Sequence, residues 1–277
     1  HEGQLLEQQA RLVVVACNGV GTPRLLLNSR SHQFPNGLAN GSGLVGKNLM
    51  FHPSAFVTGY FDDDIESNHG PTSNSIYSHH FYETDTTRGF LRGYQLQITH
   101  DSGPLWAARG GTKGKPLPWG SKHHDIFNQS FNRTINVGVI TEDLPEERNQ
   151  VTIDPFLADS DGIPSPKVTY TVGENTNKIL DHGIARATEI LQAAGALDVH
   201  PYRVPKLAGW HLMGTARTGL DPAQSVVDGW GRAHDVPNLF VVDGSVLATS
   251  GAVNVTSTIQ AIALRTADYI KNNRRNL

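Results

Sequence analysis

The chain has 277 residues, enough for one large domain or two ordinary ones, with 38% hydrophobic and 18% charged residues and a formal net charge of −3. That balance removes the electrostatic case for a nucleic-acid partner, and no apolar run approaches the length of a membrane span. Cys17 stands alone, so no intrachain disulfide can form; a lone cysteine leans toward the cytoplasm without deciding the compartment.

Residues 1–10 are polar and read as the end of a hairpin or helix, and the opening at His1 leads us to expect a piece of a longer protein. Leu12 to Ala16 is a continuous, valine-rich apolar run, the pattern of a buried strand. CNGVGT is a glycine-rich turn, Pro23 suits a first helical position, and RLLLNS makes a short helix. Asn18-Gly19-Val20-Gly21 supplies G-x-G, but Arg24 holds the third glycine position, so this is not a Rossmann fingerprint. Strand, turn and helix fit either a plain core βα unit or a segment returning to a nucleotide-binding sheet. Residues 31–50 read as loop, with a short ordered turn at GLVGKNLM.

From Ser54 to Gly138 the runs AFVTGYF, FLRGYQLQI and TINVGVI alternate with turn residues, which favours an antiparallel sheet. ARGGTKGKPLPWGSKHHD is loop-like. The adjacent pairs His79-His80 and His123-His124 cannot both face one metal from a strand, and there is no HExxH or cysteine cluster, so no metal site is expected. His123, His124 and Asp125 read as a solvated loop. Asn149–Ile153 and Lys167–Tyr170 look like strands around a Pro- and Asp-rich turn. Leu180, Ile184, Ala187, Leu191 and Ala194 recur at helical spacing, predicting a helix over Thr176–Ala194 that Gly195 ends.

The stretch from Trp210 to Ile270 is the most informative. His211 lies beside Gly214-Thr215. Leu239–Val242 is an apolar run closed by Asp243 and Gly244, suited to a strand buried on both faces; ligands in open α/β sheets sit at such carboxyl ends. Ile259, Ile262, Ala263, Thr266 and Ile270 form one helix face. Asn254 or Thr256 can cap that helix, whose positive dipole end favours an electron-rich group.

The ordered set HxxGTxR, SVVD, VPNLFVVDGS and SGxxNxT before a helix resembles the C-terminal signature of the glucose–methanol–choline (GMC) family of flavin oxidoreductases. The likeness is dense from Trp210 to Ile270 and weaker at Val13–Ser29 and Gly43–Pro53; Ser54–His200 carries no recognised motif. It implies an α/β (α+β) fold. A partial FAD-binding nucleotide domain, from 1–53 and 206–277, would enclose a substrate-binding domain over 54–205, an antiparallel sheet with helices on one face. It implies FAD as cofactor and, because GxGxxG is absent, an N-terminal FAD-binding segment of the same enzyme outside this chain.

The resemblance also assigns roles. His211 matches the family's catalytic histidine and Asn254 its second catalytic position, so His211 would take the hydroxyl proton, Asn254 would orient the substrate, and hydride would pass to flavin N5. Ala16, Cys17 and Asn18 would lie near the nucleotide half of FAD, and Asp243 and Gly244 near its ribityl–pyrophosphate region. Val255 and Thr256 would present N–H groups to its pyrimidine edge. The His/Asn pair resembles the pyranose oxidase type of site. With Tyr94, Gln95, Gln97, Trp106, Trp119, Asn128 and Gln129 in the middle region, it points to a sugar, glycoside or polyol, with the electron acceptor open. Plainer readings stand beside these: His211 as a hydrogen-bonded structural histidine, Asn254 as a helix cap, Asp243 as a strand-end carboxylate bonded to a local turn. The whole chain could likewise be a non-catalytic subunit that needs a separate N-terminal half.

Overall fold

The computed structural model describes residues 6–70, 74–100, 103–108, 118–204 and 210–275. In chain order the elements are β1 Val13–Val15, α1 Asn18–Asn28, β2 Met50–His52, β3 Ser54–Tyr60, β4 Asn74–Ser78, β5 Tyr94–Thr99, α2 Pro104–Ala108, α3 Ser121–Ser130 and β6 Thr134–Thr141. Then follow β7 Gln150–Ala158, β8 Pro164–Thr169, α4 Glu174–Ala193, β9 Asp198–Arg203, β10 Trp210–Met213, β11 Leu239–Val241 and α5 Thr256–Asn273. The fold is mixed α/β with antiparallel sheets, as the sequence leads one to expect. The chain divides into two compact units: His1–Phe51 with Asp143–Thr171 and Trp210–Leu277, and His52–Glu142 with Val172–Gly209.

In the first unit β1 and β11 run parallel, Val13 opposite Leu239 and Val15 opposite Val241. The β11 residues are buried, as a two-faced apolar run requires. β1 departs from the expected buried strand, because Val13 and Val14 are 45% and 53% exposed. Among the described residues β1 pairs with β11 alone, so its other edge is open. The first helix also differs from expectation: it begins at Asn18 and carries Pro23 in its interior. Asn18 takes a left-handed φ of 68°, and its side-chain oxygen accepts from the N–H groups of Val20 and Gly21 at 2.9 and 3.1 Å, capping the helix. Pro23 cannot donate to the Gly19 carbonyl. The Thr215 hydroxyl donates to that carbonyl instead, at 2.7 Å.

The β7–β8 hairpin lies inside the sequence boundaries 54–205, yet Asp143–Thr171 packs with the first unit. Val151 N–H donates to the Gly46 carbonyl at 2.7 Å, and Arg24 on α1 pairs with Asp159 at 2.7 Å. These contacts between distant segments outweigh the chain continuity that sequence boundaries follow.

The second unit is a five-stranded antiparallel sheet in the order β4-β5-β6-β3-β9. Its period of two sorts the side chains. Ala55, Val57, Tyr94, Leu96, Val137 and Val139 share one apolar core with Ile179, Leu180, Ala187 and Leu191 of α4. α4 ends as expected at Gly195, φ 93°, where Gly195 N–H bonds the Gln192 carbonyl and Ala196 N–H the Leu191 carbonyl, each at 3.0 Å. His123, His124 and Asp125 lie in α3, not in a loop. The helix-breaking glycines and prolines of that stretch stop at Gly120, and residues 109–117 of the expected loop lie outside the described residues.

The helix–sheet packing is tight at Gly183, where an added Cβ would meet a Val139 methyl at 2.4 Å. Gly183→Ala should destabilise the protein by about 1–3 kcal/mol through overpacking. A lower urea midpoint checks this; an unchanged one would mean that α4 can lift off without cost.

Candidate active site

The carboxyl ends of β1 and β11 lie side by side, and one buried side chain ties them together. Asp243 Oδ2 accepts from Cys17 N–H at 2.9 Å and from the Thr22 hydroxyl at 2.6 Å, while Oδ1 accepts from Ser245 N–H at 2.8 Å. The strand-end-carboxylate reading of Asp243 therefore describes what its oxygens do within the chain. Ala16, Cys17 and Asn18 are exposed along the same end of the sheet. Thr22, bonded to Asp243, and Thr215, bonded to the Gly19 carbonyl, are supports that sequence reasoning left without a role. Both sit inside the quoted motifs, beside the residues that were assigned.

Gly244 opens a 3-10 turn over Gly244–Val246, and a Cβ there would lie 2.7 Å from the Leu212 carbonyl. Only glycine lets β10 pass this close. The chain after β10 then runs along the turn: Gly214 N–H bonds the Gly244 carbonyl at 3.2 Å, and Ala216 N–H bonds the Ser245 carbonyl at 2.8 Å.

His211 lies in β10 with φ 64°, a left-handed conformation rare for a residue with a side chain. Holding it there costs about 1–3 kcal/mol, a strain that surrounding packing must offset. The side chain is half-buried, and burial lowers its pKa below the ordinary 6.5. The imidazole is therefore neutral, and able to accept a proton, at neutral pH.

The start of α5 departs from expectation. Val255 occupies the cap position with helical angles, φ −90° and ψ −3°, and no side chain caps the helix, so neither Asn254 nor Thr256 does so. With Val255 already helical, the extended cap geometry that lets a side chain fold back is lost. Val255 is buried, while Asn254 and Thr256 are exposed. Met50, Met213 and Val255 form one apolar cluster with Leu247 and Ile259. The segments bearing His211 and Asn254 are thus joined through Met213 and Val255, close neighbours of each.

The polar and aromatic set of the middle region separates. Tyr94 points into the α4 core, its hydroxyl 2.9 Å from His182 Nδ1, and burial pushes the phenol up from its ordinary range. Gln95 and Gln97 alternate with it onto the opposite face, where Gln95 Nε2 meets His79 Nε2 at 2.6 Å and Gln97 donates to Gln95 Oε1 at 2.6 Å. Asn128 and Gln129 line a recess of about 470 Å³ with Tyr60, Phe61 and Arg133. Trp119 is 98% exposed, and the Trp106 side chain lies outside what is described. Among the described residues no cluster of three or more His, Cys, Asp or Glu side chains could hold a metal, and no helix is long and apolar enough to cross a membrane.

Residues 145–263 match the family model described as GMC oxidoreductase. The 2-methyl-1,2-propanediol dehydrogenase of Mycolicibacterium austroafricanum is 45% identical over 95% of this chain and 48% of its own length. The fructose dehydrogenase large subunit of Gluconobacter japonicus is 33% identical over 95% of this chain and 47% of its own. A structure of Aspergillus oryzae formate oxidase, solved to study FAD modification, superposes with a TM-score of 0.60 at 19% identity, covering 96% of this chain and 54% of that one. The chain belongs to the GMC oxidoreductase family. It spans about half the length of the curated relatives it matches.

Removing the Asp243 carboxylate takes an acceptor from the buried Ser245 N–H, the buried Thr22 hydroxyl and the part-buried Cys17 N–H. Asp243→Ala should lower unfolding free energy by about 2–4 kcal/mol. Chemical denaturation measures this, and a loss within experimental error would remove Asp243 as the tie between the two strand ends.

Proposed function

We propose that this chain is the C-terminal part of an FAD-dependent oxidoreductase acting on CH–OH donors. Its substrate would be a sugar, glycoside or polyol, with His211 as the base and Asn254 as the group that orients the hydroxyl. The observation that carries this reading is His211 itself: a half-buried imidazole kept neutral, on strained backbone, in the strand that passes Gly244 and the first turn of α5. The diol and the sugar in the names of the two relatives support the substrate class.

The residues present fit FAD. Among the described residues the Ser245 hydroxyl, buried beside Asp243, has no hydrogen-bond partner, and α5 begins without a side-chain cap. Both features leave hydrogen-bonding groups for a cofactor in the stretch that follows β11. Ala16, Cys17 and Asn18 would hold the nucleotide half, Gly244 and Asp243 the central part, and Val255 and Thr256 the flavin edge through their backbone N–H groups. FAD, when bound, supplies the hydride acceptor. The chain supplies the rest. A nitrogen of His211 takes the hydroxyl proton as the C–H hydride leaves, and the carbon–oxygen bond becomes a carbonyl. The Asn254 carboxamide holds that oxygen so that the proton faces His211 and the hydrogen on carbon faces away from it. The α5 dipole favours the negative charge that builds on the acceptor side.

A second reading, a subunit active only with a separate N-terminal FAD-binding half, is favoured by the exposed Val13 and Val14. Covalent continuity separates the two: active yellow enzyme that runs as one long polypeptide under denaturing conditions supports the first, and one that separates into this chain and an N-terminal chain supports the second.

In the flavin-loaded enzyme, His211→Ala should slow anaerobic flavin reduction by roughly 10²–10⁴-fold, the range for loss of a general base, while flavin stays bound. Stopped-flow spectroscopy checks this, and near-normal reduction would remove His211 from the chemistry. In the unmutated enzyme the same rate should be level at neutral pH. It should fall as pH drops through a value below 6.5, because protonation removes the base and burial has already lowered its pKa. A rate independent of acid pH would contradict that assignment.

A further inference from the structure

Asp143 is a buried carboxylate, 1% exposed, that the mechanism above does not use. Its side chain and its main chain hold different things. Oδ2 accepts from the Tyr170 hydroxyl at 2.7 Å and, more distantly, from Phe51 N–H at 3.4 Å. The Phe51 ring stands edge-on to Tyr170, with centroids 4.5 Å apart and planes at 86°. Phe51 belongs to β2, the strand paired with β10, which carries His211. The Asp143 N–H donates to Ser250 Oγ at 2.8 Å, and that hydroxyl lies 3.0 Å from the carbonyls of both Asp143 and Gly251. Ser250 opens the loop that ends in Asn254. Tyr170 is braced in turn by Asn149, which exchanges hydrogen bonds of 2.8 and 3.0 Å with the Thr171 backbone.

We propose that Asp143 and Tyr170 are positioning residues: they fix the neighbour strand of His211 and the loop of Asn254 to one buried point, and so set where the two groups stand toward a single hydroxyl. This rests on the reading of His211 and Asn254 given above. The chemistry suits the task. A carboxylate accepting from a phenol makes a charge-assisted bond, stronger and shorter than a neutral one. Burial first, and the facing Asp143 second, push the Tyr170 phenol up, so it remains a donor at any working pH. No atom of either residue needs to reach substrate.

The test uses the full-length flavin-loaded enzyme and Tyr170→Phe, which deletes one hydroxyl, with Asp143→Asn as a second, volume-conserving variant. Three readouts are taken: the limiting rate of flavin reduction, the substrate dissociation constant, and amide hydrogen exchange of residues 250–255 without substrate. We expect the limiting rate to fall between about 3- and 100-fold, the span for a small misplacement of reacting groups, with the dissociation constant within about twofold. Exchange should speed up at 250–255 and not in α4. In a His211→Ala background Tyr170→Phe should slow the rate by a smaller factor than it does in the unmutated enzyme, because one of the two groups it positions is gone. A rate loss that is the same with and without His211, or unaltered rate and exchange in both variants, overturns the proposal. The two readings fail separately. Wild-type reduction in His211→Ala alone defeats the catalytic assignment, whereas normal exchange and rate in the Tyr170 and Asp143 variants defeats only the positioning.

Discussion

The first unit depends on how a carboxylate is satisfied at the end of a parallel strand pair. Strand ends leave backbone N–H groups without partners, and a buried one costs about as much as a lost hydrogen bond. Asp243 meets this need on three sides, bonding the start of α1 through Cys17 and Thr22 and the turn after β11 through Ser245. With the ends fixed, Gly244 can let β10 pass within contact of the turn, and Thr215 can repair the bond that Pro23 leaves open. Leu212, next to His211, and Ile259 of α5 then both lie against Gly244. The reactive chemistry proposed here thus depends on where one acid sits.

Strain and burial add to this. A histidine with positive φ is held only where its surroundings determine it strongly. Here β10 is pinned on several sides: by α1, where a Cβ on Gly19 would strike the Leu212 backbone, by β2, and by the Met50, Met213 and Val255 cluster. The same enclosure that imposes the strain also removes water from the imidazole and lowers its pKa. Packing and proton affinity are one effect seen twice. The two units differ in character: the second is an antiparallel sheet closed by α4 on one face and lined on the other by amides such as Gln95 and Gln97.

Much of this was legible in the sequence where periodicity or chain-local chemistry sets the outcome. β11 follows from four apolar residues before Asp-Gly, and α4 and α5 from repeats at helical spacing. The family likeness was legible in the ordered motifs from Trp210 onward. What the sequence hid depends on distant partners. Pro23 looks like a first helical residue because nothing nearby shows that Thr215 will bond the Gly19 carbonyl. Val13 and Val14 look like a buried strand because hydrophobicity does not reveal how wide the sheet is. Tyr94 joined Gln95 and Gln97 by composition, yet the strand period of two sends it to the opposite face, a separation the sequence contained. Asp143 and Ser250 meet across 107 residues of chain, with no motif to announce it.

The central claim is that one imidazole and one carboxamide share one hydroxyl. A crystal structure of the flavin-loaded, full-length enzyme with a bound substrate or unreactive analogue tests it most directly. The account predicts a His211 ring nitrogen and the Asn254 side chain each within about 2.6–3.2 Å of the same substrate oxygen. A substrate hydroxyl held by other groups, with His211 or Asn254 turned away from it, would contradict the account.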